Sequence, residues 1–216
     1  MALNAAKAAG GSGPKAEPLA PDNYMARIVI IADLGVQEQR PYKGQEKPPV
    51  QEILVTYELV TEFMKDEDGN DDEERPRWIT ERFPLYNLKA DKAKSTRRYL
   101  ALDPKMEHQG DFTALLGAPC LVTVVNNERD GRVYNNVGNI SAALKGIPVP
   151  ELVNEPVLFD FDEPSQDAWD RMPDWMNDVI QESLSYKGSK VQAMVEGTET
   201  PEEEPVAAVA DDDLPV

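Results

Sequence analysis

Cysteine and histidine are almost missing from this chain, which has one of each, Cys120 and His108, in 216 residues. A lone cysteine excludes an internal disulfide. With no second thiol or imidazole beside His108 there is also no zinc constellation, no His-based triad and no metal-ligand spacing. Cys120 precedes the apolar run Leu121-Val122-Thr123-Val124-Val125, the setting of a small buried side chain rather than a reactive thiol. Long apolar runs are lacking too. No stretch approaches the about 18 residues of a membrane span, and residues 1–13 lack the apolar segment of a secretory leader. A cytoplasmic protein is expected on these grounds, without metal or cofactor and with little for nucleophilic chemistry to use.

Positive charge is also scarce, with 22 Lys and Arg against 40 Asp and Glu and a net charge of −18. Taken whole, that balance argues against a phosphate-binding protein, because such binding draws on Lys and Arg that release counterions. The distribution of the charge along the chain points the other way. Residues 151–216 hold 18 acids and 3 bases, whereas residues 1–150 hold 22 acids and 19 bases. Seven of those 22 acids crowd one loop (Asp66, Glu67, Asp68, Asp71, Asp72, Glu73, Glu74), and without them the first part is mildly basic.

Core-building Leu, Ile and Val concentrate between Tyr24 and Leu144, so one folded domain over 23–147 is expected. Residues 1–22 are rich in Ala, Gly, Ser and Pro and read as a disordered arm. Residues 25–34 form a β-branched run of strand character, followed at 40–49 by a loop carrying Arg40, Tyr42, Lys43 and Lys47. A second strand at 50–62 alternates Ile53, Val55, Tyr57 and Leu59 against Leu54, Thr56, Glu58 and Val60. The acidic loop then turns at Asp68-Gly69-Asn70 into a third strand at 77–85.

Helix formers dominate 91–102, with apolar residues at Ala93, Tyr99, Leu100 and Leu102. Strands at 118–126 and 132–140 follow, joined through the hairpin-favouring pair Asp130-Gly131. Prolines 148, 150, 156 and 164 impose an extended strap, and 173–184 reads as a helix with Trp175, Met176, Val179, Ile180 and Leu184 at helical spacing. The strap and this helix together make 148–186. From Lys187 composition predicts a disordered acidic tail, residues 187–216.

Three strands, a helix and two further strands are the order of the oligonucleotide-binding (OB) fold, a five-stranded Greek-key barrel with a helix between strands three and four. The terminal Asp211-Asp212-Asp213-Leu214-Pro215-Val216 resembles the C-terminal tip of bacterial single-stranded DNA-binding proteins. In such a tip acids steer a small apolar end to basic surfaces on partner proteins. Residues 23–144 are similar to a family of phage single-stranded DNA-binding proteins. That resemblance is carried by Ala32-Asp33-Leu34-Gly35-Val36-Gln37 leading to Tyr42-Lys43-Gly44, and by Tyr134-Asn135-Asn136-Val137. It implies a non-enzymatic protein that coats single-stranded DNA in phage replication and recombination within the bacterial host cytoplasm. Its tip would recruit a polymerase, helicase or nuclease, and it can form homo-oligomers.

In such a barrel, DNA crosses strands two and three and is flanked by loops, with bases on aromatics and phosphates on cations. If Ile79 and Phe83 face inward, Trp78, Thr80 and Arg82 face outward together, making Trp78 the stacking platform and Arg82 a phosphate contact. Arg77 accompanies them. The first loop offers Arg40, Tyr42, Lys43 and Lys47, and the last hairpin Arg129, Arg132 and Tyr134. Tyr57 is assigned to the core. The helix cations Lys92, Lys94, Arg97 and Arg98 read as a solvated face. Three other classes stay open: an acidic DNA mimic that occupies a host protein's nucleic-acid site, a virion or assembly scaffold, and an enzyme using the Asp160 and Asp162 carboxylates. The acidic tail is also expected to compete with DNA for the basic surface.

Overall fold

The computed structural model describes residues 17–198. It is mainly β, with a six-stranded antiparallel sheet and four short helices among the described residues. The elements run β1 (Asn23–Gln37), β2 (Val50–Lys65), β3 (Asp71–Pro84), α1 (Lys94–Leu102), β4 (Pro119–Arg129), β5 (Arg132–Ala142), β6 (Val157–Phe159), α2 (Gln166–Arg171), α3 (Asp174–Gln181) and α4 (Lys190–Glu196). Hydrogen-bonded neighbours follow the path β3-β2-β1-β4-β5, and β6 pairs with β1. The expected closed five-stranded barrel is not formed. The path has two ends, β3 and β5, which no ladder joins, and a sixth strand is added. Contacts divide the described residues into two compact units, 17–32 with 52–158 and 33–51 with 159–198.

In the first unit, strand periodicity explains the core directly. Ile53, Val55, Tyr57 and Leu59 of β2 pack with Ile79 and Phe83 of β3, with Ala26, Ile28 and Ile31 of β1, and with Cys120, Val122, Val124 and Ile140 of β4 and β5. The β4–β5 hairpin closes through Asp130-Gly131, whose φ values of +53° and +69° are those of the type I′ turn the dipeptide favours. A bulge follows where the register steps from Thr123↔Asn139 to Val124↔Val137 and leaves Gly138 without a partner. A side chain at Gly138 would meet the Val125 Cγ1 at 2.7 Å, so any larger residue there has to displace the Val125 side chain.

Helix α1 departs from its expected face. It buries Ser95, Thr96, Arg98 and Tyr99 and leaves Leu100 40 % exposed. Arg98, expected in solvent, is only 7 % exposed, because the buried Glu81 carboxylate of β3 draws it inward. Its Nε and Nη2 donate to Glu81 Oε1 and Oε2 at 2.9 and 3.1 Å. Its Nη1 and Nη2 also reach β5, at Asn139 Oδ1 (3.2 Å) and the Gly138 carbonyl (3.4 Å). Lys94 Nζ lies 2.7 Å from Glu81 Oε2, and the Tyr57 hydroxyl donates to Oε1 at 2.8 Å. A polar clasp on α1 thus links the two strands that no ladder joins.

Two expectations of disorder meet ordered residues. Within the predicted arm, Leu19 is buried in the sheet core and its carbonyl accepts from Asn126 and Asn135 side chains, while its N–H donates to Asn135 Oδ1 at 2.8 Å. Within the predicted tail, Ser189 caps α4 by accepting the Gln192 N–H, and Val191 and Ala193 are buried. In the second unit α3 spans less than the expected 173–184. It buries Met176 and Ile180, while Trp175 and Leu184 are about half exposed.

Candidate nucleic-acid interface

Opposing strands place the β3 candidates by register: Trp78 lies across from Glu58, Thr80 from Thr56, and Arg82 from Leu54. Ile79 and Phe83 enter the core, so Trp78, Thr80 and Arg82 share the other face, and Trp78 is 38 % exposed. The β2 half of that face is closed. Leu54, Thr56 and Glu58 are fully buried, and Thr56 and Thr80 share a hydroxyl hydrogen bond of 2.9 Å. A strand buried on both sides offers no bases a seat, so the expected path across β2 and β3 narrows to β3.

Trp78 is held from below. Its indole Nε1–H donates to Glu58 Oε2 at 3.1 Å. The same carboxylate accepts the Val153 N–H at 2.7 Å, the Asn154 N–H at 3.3 Å and Asn154 Nδ2 at 2.7 Å. The strap bearing Val153 and Asn154 is fixed a second time by Arg27 of β1. That guanidinium donates to the Pro150, Val149 and Gly117 carbonyls and pairs with Glu151 at 2.8 Å. Neither Glu58 nor Arg27 stands out in the sequence, because the strap residues they hold lie more than ninety positions away.

The remaining expected cations of this unit differ in availability. Arg82 is exposed, but its Nε is ion-paired with Glu52, so it is not a bare charge. Arg77 is partly buried and lines a groove of about 560 Å³ with Tyr24, Glu62, Phe63, Met64 and Lys65. Arg129, Arg132 and Tyr134 are exposed on the β4–β5 hairpin. Tyr134 and Arg129 line a 450 Å³ hollow with Asn127, Asp130 and Asn136, and Arg129 pairs with Asp130 at 3.5 Å. The Cys120 thiol is buried and pushed up to about 12, first by loss of solvation and then by the Glu81 charge, which makes it unreactive in the folded sheet.

The loop candidates belong to the second unit and form their own arrangement. Tyr42 and Gln45 exchange backbone hydrogen bonds of 2.9 and 3.0 Å across Lys43-Gly44, a two-residue turn with φ values of +51° and +77°. The Tyr42 ring is 59 % exposed, with Lys43 Nζ 5.4 Å and Lys47 Nζ 5.1 Å from its centre. Lys43 of this turn and Lys47 just after it thus place two ammonium groups around one ring. Arg40 is exposed nearby in sequence.

The same unit has a cavity of about 780 Å³ lined by Asp33, Gln51, Phe161, Asp162, Glu163 and Lys190, among others. Burial raises the Asp33 carboxyl above the usual carboxylate range, against N–H donation from Gly35 and Gln51, and the charges of Asp160 and Asp162 raise it further. Among the described residues no group of three or more His, Cys, Asp and Glu side chains is arranged to hold a metal ion. No helix among them is long and apolar enough to cross a membrane. The tip residues Asp211, Asp212, Asp213, Leu214, Pro215 and Val216 lie outside the described residues. No protein-family model matches the chain, and no curated protein or solved structure matches it.

Proposed function

We propose that the sheet unit is an OB-type module that binds single-stranded DNA, coating it without sequence preference during phage replication and recombination while the acidic C-terminal tip recruits replication proteins. Support for the fold comes from the path β3-β2-β1-β4-β5, the strand order of the OB barrel, with a helix following β3 whose Arg98 bridges β3 and β5. The observation that carries the function is Trp78, an aromatic ring anchored at its N–H and exposed on the outward face of β3, the face that also carries Thr80 and Arg82. A fixed ring that offers π-surface stacks any base, which is how single strands are held without a sequence code.

Competition gel shifts with unlabelled single-stranded DNA, duplex DNA and RNA test the reading. Single strands should compete best, and Trp78→Ala should weaken binding by about 5- to 150-fold, the loss of one stacked base. Equal, feeble binding to all three competitors refutes it. A rival reading as an acidic mimic of DNA is favoured by Glu52 neutralising Arg82 and by the acids of the β2–β3 hairpin. That reading predicts no binding of single strands and capture of a host nucleic-acid-binding protein.

A further inference from the structure

We infer that Glu58 and Asn154 are positioning residues for Trp78, so that the strap after β5 is a working part of the nucleic-acid surface and sets a stacking platform that cannot read base identity. The inference rests on the single-strand reading above and deepens it. Its basis is a chain of contacts within one unit. Arg27 anchors the strap at Val149 and Pro150, the strap delivers the Val153 N–H and the backbone and side-chain amides of Asn154 to Glu58, and Glu58 holds the Trp78 indole N–H.

Glu58 is fully buried, and a buried carboxylate is tolerable only when its lone pairs are occupied. The Val153 N–H occupies Oε1, and the two Asn154 donors share Oε2 with the indole N–H. That arrangement makes the carboxylate a rigid acceptor, and removal of the strap donors leaves Glu58 free to turn and release the ring. Engagement of Nε1 also has a chemical consequence. It is the only hydrogen-bond donor of a tryptophan side chain, so the exposed remainder of Trp78 can stack on a base or touch it edgewise but cannot donate to it. Discrimination among bases at this position is therefore lost by construction, as a coating protein requires.

A double-mutant cycle on the full chain separates positioning from general support. Binding of fluorescein-labelled oligothymidylate is followed by anisotropy for wild type, Asn154→Ala, Trp78→Phe and the pair, with thermal melting of each as a check. Trp78→Phe keeps a ring but has no N–H for Glu58 to hold. The expected result is that Asn154→Ala weakens binding about 5-fold in the Trp78 protein and less than 2-fold in the Trp78→Phe background. Glu58→Gln, which retains one acceptor oxygen, should fall between wild type and Asn154→Ala, and oligomers of adenine, cytosine and thymine should lose affinity by similar factors. An equal effect of Asn154→Ala in both backgrounds, or an effect confined to one base, overturns the inference while leaving single-strand binding standing. Absence of any wild-type binding to the oligomers defeats the underlying reading and the inference with it.

Discussion

Replacing Arg98 by methionine tests whether the clasp on α1 holds the ends of the sheet path together. In the folded protein Arg98 forms a two-pronged ion pair with buried Glu81 and reaches Asn139 and Gly138 of β5. Removing one partner of a buried pair costs about 3–5 kcal/mol, because a charge is left without compensation. Here Lys94 Nζ stays 2.7 Å from Glu81 and the Tyr57 hydroxyl still donates, so the lower end applies. About 3 kcal/mol corresponds to roughly 150-fold more of the opened form. Cys120 reports that opening directly. It is the chain's one cysteine, it is fully buried, and it pairs with Ala142 of β5 and Ala26 of β1. The rate of thiol labelling by an aromatic disulfide under native conditions should rise about 150-fold in Arg98→Met. The midpoint of urea unfolding should fall in parallel. Adding Glu81→Gln should restore at least half of the loss, since the stranded charge is then removed. A labelling change below about 5-fold, or a double variant no better than the single one, refutes the clasp.

Asp33→Asn should raise the melting temperature at pH 7, with the gain shrinking as pH falls toward 4, as scanning calorimetry across that range would register. The sign follows from burial. A carboxyl raised in the folded state adds stability that is fully present below its unfolded value and is lost as pH rises through the folded one. Wild type therefore carries the cost of an ionised Asp33 at neutral pH, and an amide does not; a lower melting point for Asp33→Asn at pH 7 contradicts this. Truncation after Thr198 leaves α4 intact and removes seven acids, so single-stranded DNA should bind about 3- to 10-fold more tightly at 50 mM salt, with the gap closing by 300 mM. Salt-independent affinity ratios between the two chains would rule out electrostatic competition by the tail.

Local chemistry makes much of the sheet legible. The alternation of Ile53, Val55, Tyr57 and Leu59 predicts the core face of β2, and the residues are buried there. Asp130-Gly131 predicts the hairpin that forms. Strand ends are less legible: β3 begins at Asp71 rather than near 77, because pairing with the long β2 extends the ladder through acidic residues that no propensity favours. The side chains around Trp78 are partly legible. The outward set of Trp78, Thr80 and Arg82 follows from period two, but the occupants of Glu58 do not, since its donors arrive from Val153 and Asn154.

Sequence alone determined five of the six strands, their order along the chain, their inward faces and the segregation of acids toward the C-terminus, because each depends on neighbours within a few positions or on composition. Tertiary structure decided whether the sheet closes, which cations are free and which face is open. Those outcomes depend on pairs far apart in sequence. Arg98 has the sequence setting of a solvated helix cation, yet Glu81 draws it inside, and β2 has the alternation of a half-exposed strand, yet its outward residues are buried. A charge in a sequence is only a potential partner, and burial settles what it pairs with, because an uncompensated charge cannot be taken out of water.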